Sequence, residues 1–457
     1  MSPVAPHTPR PHSVPRRAAS AALVSAALLP LLSACGSSIT SGDRAGQAGW
    51  GRPEVLAEAA VFDGSQLMSL SGDGAGQAVA VWAPSTIPYP PVLARRFSPQ
   101  EGWLSVETIR AGGSGSVATP AVRMNARGDM VAIWDTYDGL RASVHAAGGT
   151  WGPVEIVRRA SGSLWNWGLD DAGNAIVAWT AGGRIFTSRF EAGRGWQGLG
   201  ALPGAEPVDP FGVPAVAVSG SGLAVAGWST QTGEVWASSF DPGRGWSLPS
   251  RLSQEPSRVL LVSAFANARG DGLVTWYGSS PSAEGSGALF ASFYENATDF
   301  LPGEVLGPTV GTAMAAAIDL NGTSIVVYMS GLGLRVQRHA AGGWQAPEAL
   351  DGVGGFDSVT LDDHGSGWVL WSEPSAANRE MVSLRSRRLA AGRAIGMAEE
   401  ISPPSLGLAW FSGTRMDAPG SLSAAWFRLT SEPGEPGRFA LMAARYHPGG
   451  TAGRTTN

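Results

Sequence analysis

The chain has 457 residues, 37 of them acidic and 32 basic, for a formal charge of −5. Every basic residue is an arginine, which excludes Schiff-base lysine chemistry and a Walker-type phosphate lysine, and the acidic balance argues against nucleic acid as a partner. Sixty-three glycines and 32 prolines would read as disorder if unpatterned, but 18 tryptophans demand a packed interior.

At the N-terminus Arg10, Arg16 and Arg17 precede an apolar run from Ala18 to Leu32, followed by Ser33-Ala34-Cys35-Gly36. A basic stretch, a short apolar run and small residues describe a secretory signal over residues 1–34, too short for a stable membrane span. Leu32 to Cys35 resembles the lipobox of bacterial lipoproteins, and the resemblance implies cleavage before Cys35 and acylation of its thiol. Cys35 is the chain's one cysteine, so no internal disulfide forms. Residues 35–48 then read as the lipidated cysteine and a flexible tether, on an exported protein held at the outer membrane or cell surface.

From residue 49 to 448 two motifs alternate, eight copies of each. The first sets a small polar residue three before a glycine and nine before an aromatic: Asp73/Gly76/Trp82, Asn125/Gly128/Trp134, Asp170/Gly173/Trp179, Ser219/Gly222/Trp228, Asn267/Gly270/Trp276, Asp319/Gly322/Tyr328, Asp362/Gly365/Trp371 and Asp417/Gly420/Trp426. The polar side chain is expected to accept a backbone N–H two residues on, and the glycine to take a positive φ, closing a hairpin. Calcium is the rival reading for such acids, but it needs several convergent carboxylates where each turn offers one. The second motif runs from Trp50/Glu54/Leu56 through Trp103/Glu107/Ile109 and Trp151/Glu155/Val157 to Ile395/Glu399/Ile401. Its offsets of four and six are expected to keep all three side chains on one face of an extended strand.

Small and β-branched runs such as Ala215 to Val218 precede each polar turn, and alternating segments such as Arg184 to Phe190 follow each strand-ending aromatic. That makes four short strands per unit of about 50 residues, a repeat whose units cannot bury their faces alone. The expected fold is all-β: an eight-bladed β-propeller of four-stranded antiparallel blades over residues 49–448, with a disordered tail over 449–457. The strand at Trp50 to Leu56 precedes the first complete unit, and the last unit, Phe411 to His447, has three strands. Joining them closes the ring, the N-terminal strand completing the last blade and leaving no open edge.

The chain resembles bacterial β-propeller lipoproteins and, more loosely, the sialidase-like superfamily. The sialidase Asp-box has shorter offsets than the three and nine found here, and its arginine triad and nucleophilic tyrosine have no assignable counterparts. The resemblance therefore implies a non-enzymatic binding or scaffold module for an envelope protein or glycan, with an extracellular glycan-active hydrolase as the alternative.

No catalytic or metal motif of the His-Glu-x-x-His, Gly-x-Ser-x-Gly or Cys-x-x-Cys type occurs, and no catalytic residue, metal or cofactor is assigned. His145 and His339 stand where other units carry Phe97, Phe190, Phe240, Tyr294, Leu389 and Tyr446, which makes them packing side chains at the end of the third strand. His364 falls in a turn. A ligand is expected at the loops joining second to third strands, which are long after Trp82, Trp276, Trp371 and Trp426. Closure makes three of these adjacent, in a wall carrying Tyr89, Glu373, Arg379, Glu380, Arg428, Glu432 and Glu435. The expected state is a monomer.

Overall fold

The computed structural model describes residues 48–59, 68–73, 75–84, 89–113, 115–159, 164–204, 207–279, 287–295, 299–309, 314–340, 343–350, 355–361, 366–375, 377–390, 393–406, 411–418, 421–429 and 439–447. Within these the regular elements are antiparallel strands, gathered into eight sheets in chain order. Blades one to eight cover residues 68–110, 118–158, 165–201, 215–251, 259–309, 314–349, 355–406 and 411–447. The last is completed by Gly49–Trp50 and Glu54–Ala59, which both pair with Phe439–His447. The first strand of each blade touches the first strand of the next in cyclic order, Phe411–Ala418 of blade eight meeting Met68–Gly72 of blade one. The chain is an eight-bladed β-propeller.

Small side chains make the crowded axis possible. Ser69 Oγ accepts from Val122 N at 3.1 Å, and Ser71 Oγ accepts from Met124 N at 2.9 Å, so hydroxyls stitch the first strands of blades one and two. At Gly168, on the first strand of blade three, a Cβ would be driven into the side chain of Val218 on the first strand of blade four.

Because strands alternate in direction, the ring has two unlike faces. The turns joining first to second and third to fourth strands lie on one, the hairpin face. The other, the loop face, carries the second-to-third loops and the connectors between blades. On the hairpin face the polar turns form as their sequence dictates. Asp73 Oδ1 accepts from Ala75 N at 2.7 Å and from Gln77 N at 3.1 Å, and Asp319 Oδ1 accepts from Asn321 N and Thr323 N at 2.8 Å each. Gly76, Gly128, Gly173, Gly222, Gly270 and Gly322 all have φ between +76° and +100°. Where the polar residue is Asn it also reaches the next blade: the Asn267 amide donates to Asp319 O at 2.8 Å. The turns at 362–365 and 419–420 lie outside the described residues.

The core is eight separate clusters, one per blade interface, each built from two consecutive blades. Every first-motif aromatic faces the preceding blade: Trp134 blade one, Trp228 blade three, Trp276 blade four, Trp426 blade seven. Tyr328, the one departure from tryptophan, keeps this place between blades five and six. Its hydroxyl donates to Gln337 Oε1 at 3.2 Å, which compensates for burying a phenol. Burial raises the pKa of that phenol.

The outer strands correct one expectation. Their two apolar members do not share a face. Trp50 packs against the blade seven–eight cluster and Leu56 belongs to the blade eight–one cluster; likewise Trp103 faces blade eight while Ile109 faces blade two. The parity changes because the strand breaks or slips between them. Trp50 pairs with Tyr446 and Glu54 with Ala443, four residues against three, and Arg95/Phe97 marks the corresponding shift in blade one. A register slip of one residue moves everything beyond it to the other face. Among the described side chains, the outer strands of blades eight and one each pin two interfaces in this way.

The aromatic of that strand meets the third-strand side chain across the hairpin. Phe97–Trp103, His145–Trp151 and Phe240–Trp246 have ring centroids 5.4, 5.3 and 5.2 Å apart, so His145 and His339 do stand in for a packing aromatic. Burial, with Arg96 adding repulsion, holds the His145 imidazole below its ordinary pKa. The folded chain then takes up this proton less readily than the unfolded chain. Stability is therefore constant above the unfolded value of about 6.5 and falls as pH drops from there through the folded value. Replacing His145 with Phe is expected to flatten that acid limb, read as thermal midpoints between neutral and mildly acidic pH; an unchanged slope would show that His145 is not its source.

Candidate functional site

On the loop face the residues named from sequence separate into distinct settings. Tyr89, in the second-to-third loop of blade one, is 51 % exposed, and its carbonyl accepts from Gly113 N at 3.2 Å. Glu373 is the penultimate residue of the second strand of blade seven, half-buried, with Oε2 3.7 Å from Arg385 Nη1. Arg379 and Glu380 are exposed on the following loop, where Glu380 N donates to Asn378 Oδ1 at 3.0 Å. Arg428 sits half-buried near the end of the second strand of blade eight. Glu432, Glu435, His364 and Cys35 lie outside the described residues. Closure does make blades seven, eight and one consecutive.

Two features of this face were not anticipated from loop length. One lies between blades one and two. Tyr137 is 71 % exposed at the tip of the tight turn between Met130–Thr136 and Gly139–His145. The described parts of the glycine-rich connector, 111–113 and 115–117, approach the two tyrosines at Gly112 and Gly115. A Cβ at Gly112 would press on the Tyr89 carbonyl at 2.7 Å, and one at Gly115 would sit 3.8 Å from Tyr137 Cδ1. Beside them Arg141 Nη2 donates to Asp138 Oδ2 at 2.7 Å, and Arg110 Nη1 donates to Pro90 O at 3.1 Å. Burial, and then Arg141, lower the Arg110 pKa against the opposing pull of Asp138.

The other is a cleft of about 580 Å³ between blades four and five, lined by Asp209, Thr230 to Gly233, Pro256 to Val259 and Ser279. Backbone bonds fix its walls. Ser257 N donates to Gly233 O at 2.9 Å, Gln231 N to Pro207 O at 3.1 Å and Ser279 N to Arg258 O at 3.2 Å, while Arg258 N donates to Ser279 Oγ at 3.1 Å. Gly233 has φ +83°, and a Cβ there would collide with the Ser257 carbonyl. Asp209 Oδ1 accepts from Phe211 N at 3.0 Å, closing a tight turn that leaves Phe211, two residues along the chain from the cleft-lining Asp209, 87 % exposed. Gly233→Ala is expected to displace the 256–258 segment and cost roughly 1–3 kcal/mol, read as a lower urea midpoint; an unchanged midpoint would mean the cleft wall yields freely.

A reading by chemistry as well as length would have found both. An aromatic at the tip of a two-residue turn, as in Tyr137-Asp138, has no neighbour to bury it, and Asp209-Pro210-Phe211-Gly212 is a turn signature with an apolar side chain at its crest. Among the described residues no group of three or more His, Cys, Asp or Glu is disposed to hold a metal ion.

No family model and no curated protein matches this chain by sequence. By structure it is similar to a protein of unknown function from Dyadobacter fermentans, at 13 % identity over 86 % of this chain and 99 % of that one, TM-score 0.40. It is similar to NanB sialidase from Streptococcus pneumoniae at 10 % identity over 61 % and 69 %, TM-score 0.39. The six-bladed fucose-recognising lectin of Aleuria aurantia matches at 12 % identity over 62 % and 95 %, TM-score 0.37. Nothing about the site of this chain is carried over from them.

Proposed function

We propose that this chain is an exported, lipid-anchored envelope protein that acts as a non-enzymatic binding module, holding a glycan or protein on its loop face. The observation that carries the reading is the company kept by exposed aromatics. Among the described residues Tyr89, Tyr137 and Phe211 are the aromatics more than half exposed, and all three stand on the loop face. Single exposed apolar groups are ordinary, but exposed aromatics gathered on one face, two of them between blades one and two and the third two residues from a polar cleft lined by Asp209, are how binding surfaces differ from the rest of a protein. A glycosidase needs two acids roughly 5 to 10 Å apart about the bond it cuts, and the cleft is lined by one carboxylate, Asp209.

The test is binding of the exported chain to immobilised envelope glycans and envelope proteins, before and after the combined change Tyr89→Ala, Tyr137→Ala and Phe211→Ala. Loss of at least ten-fold in affinity with an unchanged unfolding midpoint is expected; undiminished binding would move the site off this face. Anchoring is tested separately. Cys35→Ser is expected to release the protein from membranes or leave an unprocessed precursor, and a mature, lipid-free form retained at the membrane would contradict acylation.

A further inference from the structure

We propose that the cleft between blades four and five is a subsite for a neutral oligosaccharide, with Asp209 and Arg258 gripping ring hydroxyls and Phe211 packing on the apolar face of a sugar. The inference rests on the loop-face reading and names its ligand class. Four observations carry it.

The volume of about 580 Å³ is within the range of small-molecule sites. The lining is hydroxyl, amide, carboxylate and guanidinium, with Pro256 and Val259 as the apolar exceptions, so an apolar ligand would strand polar groups that a polyol can satisfy. The single carboxylate and the single guanidinium come from different connectors, Asp209 between blades three and four and Arg258 between blades four and five. Their charges offset one another, which removes the electrostatic reason to recruit an anion, while each suits a pair of neighbouring hydroxyls, one accepting and one donating.

The fourth observation concerns the backbone. Extended peptides are usually held by free N–H and C=O groups along a strand edge. In this cleft the N–H groups of Gln231, Gly233, Ser257, Arg258 and Ser279 are already bonded to Pro207, Thr230, Gly233, Ser279 and Arg258, which breaks up the row of donors an extended peptide would need and gives side chains the larger part in reading a ligand. The same bonds hold the walls in place before anything binds, which lowers the ordering cost of association. Phe211 adds an exposed ring beside these side chains, held by its own N–H to Asp209.

The experiment is isothermal titration of the exported chain with neutral tetrasaccharides of glucose, mannose and galactose, with uronate-bearing tetrasaccharides of the same length, and with an extended octapeptide. At least one neutral tetrasaccharide is expected to bind. Asp209→Asn and Phe211→Ala should each weaken it ten-fold or more, Arg258→Ala should weaken it likewise, and Leu332→Ala, at an exposed loop-face side chain of blade six, should leave it within two-fold, all at unchanged unfolding midpoints. Saccharide binding insensitive to Asp209→Asn and Phe211→Ala overturns the subsite; if Tyr89→Ala and Tyr137→Ala abolish that binding, the loop-face reading still stands. Preference for the uronate ligand or the peptide overturns the assignment to neutral sugars. Failure of every saccharide overturns the proposal outright, and the loop-face reading falls with it only if envelope-protein binding also ignores all three aromatics.

Discussion

Deleting residues 49–59 is expected to abolish the cooperatively folded ring. The segment supplies the whole outer strand of blade eight, paired with Phe439–His447. Leu56, 3 % exposed, leaves the blade eight–one interface, and Trp50 leaves its contacts with Trp368 and Tyr446, at ring-centroid distances of 6.0 and 5.8 Å. The Trp50 indole also donates to Ser386 Oγ of blade seven at 2.8 Å. Lost apolar burial and lost ladder bonds together come to on the order of 10 kcal/mol, as much as the stability of a typical domain. The third strand of blade eight would become a free edge. Urea unfolding and light scattering of the truncated chain report the result, and a synthetic peptide of residues 48–59 added in trans should restore part of the lost stability. A truncated chain as stable and as soluble as the full one would mean that closure contributes little.

Trp134→Ala is expected to cost about 3–5 kcal/mol, because the side chain is fully buried between blades one and two and the valine, isoleucine, methionine and alanine side chains of its cluster, fixed on paired strands, cannot fill the space it leaves. Trp134→Phe should cost much less, roughly 1 kcal/mol. The indole Nε1 of Trp134 is buried without a hydrogen-bond partner, so the folded protein already bears the desolvation of that N–H, and phenylalanine returns it while keeping most of the apolar contact. Shifts in urea midpoint at constant slope measure both. Equal losses for the two variants would show that indole shape, rather than burial, is what the interface selects. Trp228, Trp371 and Trp426 have the same orphaned nitrogen at the same repeat position, so the pair of substitutions probes a rule of this ring.

Repetition made the architecture legible. Asp73, Asn125, Asp170 and their counterparts announce a hairpin by local chemistry that tertiary context has no reason to override, and counting outer strands against units was enough to foresee that the strand at Trp50 must complete the blade built from Phe411 to His447. The face of Leu56 was not legible, because a bulge changes side-chain parity without changing sequence spacing, and the offsets of four and six look the same with or without it. The candidate site was less legible still. Insertion length singled out Tyr89, Glu373, Arg379, Glu380 and Arg428, whereas the cleft arises from short connectors, 230–233 and 256–258, that meet only because the blades do. A site assembled from several blades leaves no contiguous signature in any of them.

The way the chain enters the ring has a consequence for orientation at a surface. Gly49 and Trp50 pair with His447 and Tyr446 at the end of the third strand of blade eight, so the first described residues emerge on the hairpin face. Under the proposed anchoring at Cys35, a flexible segment of about 13 residues, with a reach of roughly 20 Å, would join the lipid to the hairpin face at residue 48. Tyr89, Tyr137 and Phe211 would then point away from the lipid. The strand that locks the ring would at the same time aim it, like the stem of a dish, and a partner would be met from the aqueous side rather than from the membrane plane.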